Sequence, residues 1–528
     1  SSDNASFRAV LAAPSKVACA VALALFSSLS LAEVITETIT GEQTFQEDVT
    51  VTVSPGISAA QGATTTVNSD FDLTLTGSTG ISTGKNSTLS INVGRLDITG
   101  STGMSFAGGS TVVINAEAIS IDTTYHGIML SNGVDQNVTL NADLTITGTN
   151  AYFGLYGDSS GRSEDRRQFS STKSLVVKDF SGRGAVQSWR INYYIPNIEI
   201  KDSSFSGDYG SAFMIVQGDV RGDKEENRVG TLSAHNLNVA NDGAFNTLYF
   251  QEGEVNLDLI AVKDITKADQ NGLLSGLTGD ADSHINANRI EIDQIKGKGD
   301  NVSAYGMIAV ANSSSKYAAS SVDVGTVSIS NIDSVNASGY GFYAEDAGVG
   351  KNKLTVDVGN LTVDGVHGKV AAWGTAVVQG ATMTANAVSV RNVSSEGHAF
   401  GFQNENSSMT AGSIEISGVK GAVESSGFTN FFGTAKVDSL AVSDVSANSE
   451  QGGTAVLLDV VGGQFDLGAA ALIHGRAEDL SNLTYDGLYA ADASAQTQTV
   501  TSLAVRSVMG GKANLNNPDG QYVIVGTL

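Results

Sequence analysis

A short pattern, apolar-x-apolar followed by a polar residue and then most often Asp, Asn or Gly, recurs fourteen times along this chain. The units begin at Leu73, Leu96, Ile119, Leu144, Leu175, Ile198, Leu237, Ile260, Ile290, Val327, Leu361, Val388, Ile414 and Leu440. Their starts lie 23 to 39 residues apart, 367 residues over 13 intervals. Self-similarity at such a period marks a solenoid, in which each repeat leans on its neighbours. Every unit reads as a strand with alternating sides, closed by a turn residue.

Two further strand-like pieces accompany each unit. Upstream lies an alternating stretch such as Leu89-Ser-Ile91, Val112-Val-Ile114 or Leu354-Thr-Val356. Downstream lies an aromatic or Gly-rich piece, as in Tyr152-Phe-Gly-Leu-Tyr156, Tyr305-Gly-Met-Ile308, Tyr340-Gly-Phe-Tyr343, Phe400-Gly-Phe402 and Phe432-Gly433. Three short strands per repeat describe an all-β fold, a right-handed parallel β-helix of about 14 or more coils. Strands stacked at 4.7–4.9 Å would make a rod about 65 Å long. A leucine-rich solenoid has a similar period, but its Leu-rich segment with Asn or Cys and a helical return is missing here.

Composition agrees. Gly at 60 residues against 4 Pro, with abundant Ser, Thr and β-branched residues, is poor for helices and suits short strands joined by turns. The net charge of −25 makes nucleic acid and anionic membranes poor partners.

The N-terminus stands apart. Arg8 and Lys16 precede the apolar run Val17–Phe26, and small residues Ser30 and Ala32 lead to Glu33. This is the pattern of a signal peptide, residues 1–32, cleaved between Ala32 and Glu33. The run is shorter than the ~20 residues that span a bilayer, so no transmembrane helix is expected in the mature chain. The single cysteine, Cys19, lies in that run, which leaves the mature protein without disulfide or thiolate chemistry. Residues 33–72 read as an N-terminal cap or first coils, 73–475 as the β-helix, and 476–528 as a C-terminal cap or a linker.

A signal peptide followed by an acidic, cysteine-free, Gly/Ser/Thr/Asn-rich chain of short strands resembles the passenger region of autotransporters, the type V secreted proteins of Gram-negative bacteria. The resemblance spans residues 1 to about 475 and rests on architecture and composition. It implies export through the inner membrane and display at the cell surface, in the outer membrane or outside the cell. It also implies adhesion or surface binding, with a host or neighbouring-cell protein or glycan as partner. A C-terminal β-barrel would supply the route outward. The alternating segments and aromatic girdles of a barrel do not follow the repeat, which leaves two readings open, a barrel beyond Leu528 and a secreted β-helix without one.

Pectate-lyase-like enzymes share this fold, so a polysaccharide lyase or glycoside hydrolase is the alternative reading. The acids after the strands (Asp179, Asp202, Asp264, Asp364, Asp444) read as turn residues. His126, His235, His284, His367, His398 and His474 lack metal-site spacing and read as loop residues, so no metal, cofactor or catalytic residue is assigned. Gly157-Asp-Ser-Ser-Gly161 matches the serine-protease motif of some autotransporters poorly. Arg221-Gly222-Asp223 is the candidate binding element. It sits in a polar insertion, and some adhesive passengers carry this tripeptide as an integrin ligand. Asp158–Gln168 is a second insertion, expected to be solvated. The aromatic-Gly pieces are expected to stack as internal ladders rather than line a sugar-binding groove.

Overall fold

The protein is described from a computed structural model covering residues 32–467 apart from 132–134, 159–166, 207–209, 217–225, 241, 270, 313–318, 348–352 and 449–451. Beyond 467 it covers the strands at 487–490, 501–508 and 512–514. Among the described residues there is no helix, and parallel strands stack as a β-solenoid of about 14 turns.

Each coil has three faces. Face A carries the repeat: Leu361–Val363 pairs with Val327–Ile329 of the coil before and with Val388–Val390 of the coil after. Face B follows, here Ala371–Val378, and face C opens the next coil with Thr382–Ser395 continuing into the next face A. The alternation decides what is buried. Ile414 and Ile416 point into the core while Glu415 between them is exposed, and one continuous column of apolar residues results.

The acids at the ends of the repeat strands turn the chain. Asp179, Asp202, Asp264 and Asp444 are left-handed, as are Asn236, Asn331 and Asn392 in the equivalent place. Asn and Asp tolerate that region because their short side chains bond locally. The side chains also bond up the stack, Asn236 Nδ2 donating to Asp202 Oδ1 at 2.7 Å and Asn392 Nδ2 to Asp364 Oδ1 at 2.7 Å. In the coil of Asp364 the turn residue is the next one, Gly365.

Two expectations need correction. The unit placed at Leu237 is out of phase: Ile198 and Ile200 pair with Leu232 and Ala234, while Leu237 lies beside Ser203 and Ile265. Leu232-Ser-Ala-His-Asn236 is the true repeat, with alanine in its second core position, so the pattern is weak there. Restoring it changes the apparent spacings of 39 and 23 residues, from Ile198 to Leu237 and on to Ile260, into 34 and 28, from Ile198 to Leu232 and on to Ile260. The strands are also not all short. Asn271–Gly297 runs 27 residues through two corners. At nine successive corners between faces C and A a single residue separates the two ladders, from Pro196 and Gly230 to Gly412 and Asp438. The hydrogen-bond ladder therefore continues around the bend.

Close packing marks the seam between face B and the next coil's face A. Gly80, Gly103, Gly127 and Gly154, and after an interval Gly276, Gly306, Gly341, Gly374, Gly401 and Gly427, form an inward column. Each leaves room for the second apolar residue of the following repeat, such as Ile292 for Gly276, Val390 for Gly374 and Ile416 for Gly401. Ala185, Ala212 and Thr247 occupy the interval and are buried.

A Cβ on Gly401 would stand 2.5 Å from Ile416 Cγ2 and 2.6 Å from the Gly427 carbonyl oxygen, inside contact distance of a rigid backbone. Gly401→Ala is therefore expected to destabilise the rod by about 1–3 kcal/mol, the cost of overpacking a filled core. A lowered denaturant midpoint measures it. An unchanged midpoint would show that the column is not close-packed.

Candidate functional site

On face B the residue before each glycine, or before Ala185, Ala212 and Thr247 in the interval, stands on the side away from the core. Up the stack these are His126, Phe153, Gly184, Ser211, Asn246, Ser275, Tyr305, Tyr340, Trp373, Phe400 and Ser426. Of these, His126, Phe153, Ser211, Ser275 and Ser426 are covered by neighbouring side chains and buried. Aromatic rings are expected to stack where neighbours are aromatic, and they do. Tyr305 and Tyr340 lie 4.3 Å apart at 1°, Tyr340 and Trp373 4.5 Å at 2°, and Trp373 and Phe400 5.5 Å at 17°.

The ladder was expected inside the rod. Its members are instead half-buried on the outer surface, because the inward place is taken by glycine. The internal stack is formed by the residue after the glycine, with Phe402 and Phe428 at 5.1 Å. Phe432-Gly433 belongs to neither: Phe432 is an exposed turn residue with φ 51°, and Ser426-Gly427-Phe428 is the equivalent piece. Trp373-Gly374 completes the outer ladder and was legible in the sequence as an aromatic-Gly pair.

Rings stacked face to face offer solvent their edges, so only the end rings keep a free face. Tyr305 looks toward Ser275 and Phe400 toward Ser426. Beside the ladder, Tyr343 packs at 78° to Tyr340 and donates to Glu345 Oε2 at 3.0 Å. Trp373 Nε1 donates to Gln403 Oε1 at 2.5 Å, and Gln403 Nε2 donates to Glu405 Oε2 at 2.7 Å. Burial raises the pKa values of Tyr305, Tyr340 and Tyr343 above the usual phenol range, so the hydroxyls stay protonated donors. Glu345 and Glu405 share one outward column with Val378 between them, two rungs or about 9–10 Å apart.

A second aromatic group sits lower on the face. His126 stacks on Tyr156 at 5.0 Å and on Phe153 at 5.9 Å, Tyr125 is exposed, and Arg183 lies 4.0 Å above the Tyr152 ring. Between the two groups the column is small and polar. Gln187 Nε2 donates to Ser211 Oγ at 2.8 Å, and the Ser275 and Thr278 hydroxyls donate to Asn246 Oδ1 at 2.9 and 2.8 Å.

The chain lengthens most at the two edges of this face. From face B to face C it takes from one residue, Arg190, to nine, between Gly157 and Arg167 and again between Val216 and Glu226. From face A to face B it adds five between Phe205 and Ser211 and six between Ala447 and Thr454. The opposite corner keeps a single residue in the nine coils from Pro196 to Asp438, and one to three in the coils before them.

Arg221, Gly222 and Asp223 fall in the segment between Val216 and Glu226 and lie outside the described residues, as does His474. Ala32 and Glu33 are exposed, and the first strand starts at Glu33. The insertion read as solvated is anchored at one end. Arg167 is buried and donates to the carbonyls of Leu130 at 2.9 Å and Asp158 at 2.7 Å, and also to that of Trp189. A guanidinium matches several strand-end carbonyls at once, which a short polar run does not announce. The described histidines lie in strands, not loops. His235 pairs with Glu199 at 2.8 Å and His398 with Glu424 at 3.3 Å, while His284 and His367 bond Ser321 and Ser394.

Among the described residues no group of three or more His, Cys, Asp or Glu is placed to hold a metal ion, and no helix is long and apolar enough to cross a membrane. Comparison with protein-family models, curated proteins and solved structures returned no match.

His126 yields a pH prediction. Burial lowers its pKa from 6.5 to about 4, and its Nδ1 has no hydrogen-bond partner among the described residues. The unfolded chain thus binds a proton that the folded chain refuses between pH 6.5 and about 4. Stability contributed by the neutral ring is complete above pH 6.5 and falls by up to about 3 kcal/mol as pH drops toward 4. His126→Phe, which extends the ring stack, is expected to flatten that part of the stability–pH curve. An unchanged slope in the variant would remove His126 as the cause.

Proposed function

We propose that this chain is an exported, surface-displayed recognition protein whose rod presents face B and its two edges to a protein or glycan on a host or neighbouring cell. The observation that carries the reading is the placement of variation. The longest added segments border face B, whereas the corner between faces C and A holds one residue through the nine coils from Pro196 to Asp438 and two or three in earlier coils such as those at 116–117 and 171–173. A fixed scaffold with variable segments gathered along one face is how binding surfaces are built. The signal-peptide pattern with Ala32-Glu33 at its end supports export, and the resemblance to autotransporter passengers supports display at the surface of a Gram-negative cell. Arg221-Gly222-Asp223 lies in one of the longest added segments, which supports it as a contact.

A glycoside hydrolase on the same scaffold is a second reading, favoured by Glu345 and Glu405. They are two carboxylates in one outward column of face B, two rungs apart, and a hydrolase of this class needs a pair of acids on one surface. Both side chains already take part in hydrogen bonds at the aromatic ladder.

Shortening the segments between Val216 and Glu226 and between Ala311 and Ser320 is expected to reduce attachment of displaying cells. Asp223→Ala should weaken attachment while stability stays within about ±0.5 kcal/mol. Export should yield an N-terminus at Glu33 or within a few residues. Full attachment after both segments are shortened would overturn the recognition reading. Loss of polysaccharide cleavage in Glu405→Gln would favour the enzyme.

A further inference from the structure

The corner between faces C and A, remote in the coil from the edges of face B, carries a groove of about 820 Å³. One wall is the outward column of face C, in which Tyr194, Arg228, Asn256, Asn286 and Asp323 follow one another in parallel register. The other wall is the single-residue corner, with Asp258 and Asn288 at its centre and Gly230 and Gly325 on either side of them. Ile195, Val229, Leu257 and Ala287 form an apolar floor between the walls.

We infer that this groove is a binding site for a neutral, linear oligosaccharide of about four residues. The rungs advance by 4.7–4.9 Å, close to the advance of one sugar in an extended chain, and four steps cover about 19 Å. Successive rungs present amides, carboxylates or a guanidinium, the groups that pair with adjacent hydroxyls as donor and acceptor together. Tyr194 adds an aromatic surface at one end.

The central amides are already oriented. Asn286 Nδ2 donates to Glu254 Oε1 and to Asn256 Oδ1, both at 3.0 Å, and this turns its Oδ1 toward acceptor duty. Asn288 Nδ2 donates to Asp258 Oδ1 at 3.3 Å. Side chains held in place before binding lose less freedom when a ligand arrives. Charge selects the ligand class. Asp258 and Asp323 outnumber Arg228 in the groove and Glu254 stands beside it as the acceptor of Asn286, in a chain of net charge −25, so a uronate or sulfated glycan is repelled and a neutral one is not.

The test uses the full chain on immobilised linear oligosaccharides of about four to six residues. One arm holds β-linked N-acetylglucosamine and N-acetyllactosamine oligomers of animal-type surfaces. A second holds glucans and galactans of plant and microbial origin, a third an oligouronate, and a fourth a basic peptide. Binding to at least one neutral oligomer is expected, and the retaining arm identifies the source. Asn286→Ala and Asn288→Ala should each weaken it by about tenfold or more, a difference of about 1.4 kcal/mol, whereas Glu415→Gln, on the exposed side of face A and outside both surfaces, should not. Asn288 is exposed, so its variant keeps the test valid if Asn286→Ala fails to fold. Retention of no neutral oligomer, preference for the uronate or the peptide, or binding unaffected by Asn288→Ala would each overturn the assignment.

Discussion

The structure depends on how closely one coil can approach the next where face B meets the following face A. A parallel ladder fixes the rise per coil, so any side chain that enters the core must find its space within that rise. The glycine column provides it. Gly306 leaves room for Ile329, Gly341 for Val363 and Gly427 for Val442, and each glycine also faces the carbonyl of the next face B. With glycine inside, the preceding residue must face out. The aromatic residues that would otherwise fill the core therefore stack on the surface, and a requirement of packing becomes a feature of the exterior.

The same constraint divides the coil into rigid and adjustable parts. In the nine coils from Pro196 to Asp438 the single-residue corner between faces C and A keeps the hydrogen-bond ladder running around the bend, and where an earlier coil carries an extra residue there, Ala116-Glu117 against Ala142, the ladder is interrupted by a shift of register. The edges of face B carry no such penalty, because the chain can leave the coil and return in register. Arg167 shows how a return is fastened: one buried guanidinium gathers carbonyls from three places on the edge. Variation collects on one side of the rod for this physical reason, and recognition there exploits what stability permits.

Much of the fold was legible because the repeat is written in side-chain alternation, which a solenoid preserves from coil to coil. The inward pairs such as Ile414 and Ile416 and the turn acids Asp179, Asp202, Asp264 and Asp444 could be read directly. The phase failed at Leu237, where Ala234 replaced a large apolar residue and a later Leu-x-Val imitated the unit. The candidate surface was half legible. Tyr305, Tyr340 and Phe400 drew notice as aromatic-Gly pairs, but which side they face depends on the neighbouring coil's Ile329, Val363 and Ile416, tens of residues away. Arg167 was misread because burial by a distant rung leaves no local mark, and the strand histidines because partners such as Glu199, Ser321 and Ser394 lie on the neighbouring coil.

Cysteine pairing tests the stacked register most directly, since Cys19 is the sole natural thiol and can be replaced by serine. Ser328 and Thr362 are direct neighbours on successive coils of face A. Their Cα separation should be near the 4.7–4.9 Å of adjacent strands, within the range a disulfide spans. In Ser328→Cys/Thr362→Cys, mild oxidation should consume both thiols and yield one intramolecular cross-link, while Ser328→Cys/Asp364→Cys, offset by two residues, should remain reduced. Cross-linking of the offset pair with the in-register pair left free would contradict the parallel stack on which the whole account stands.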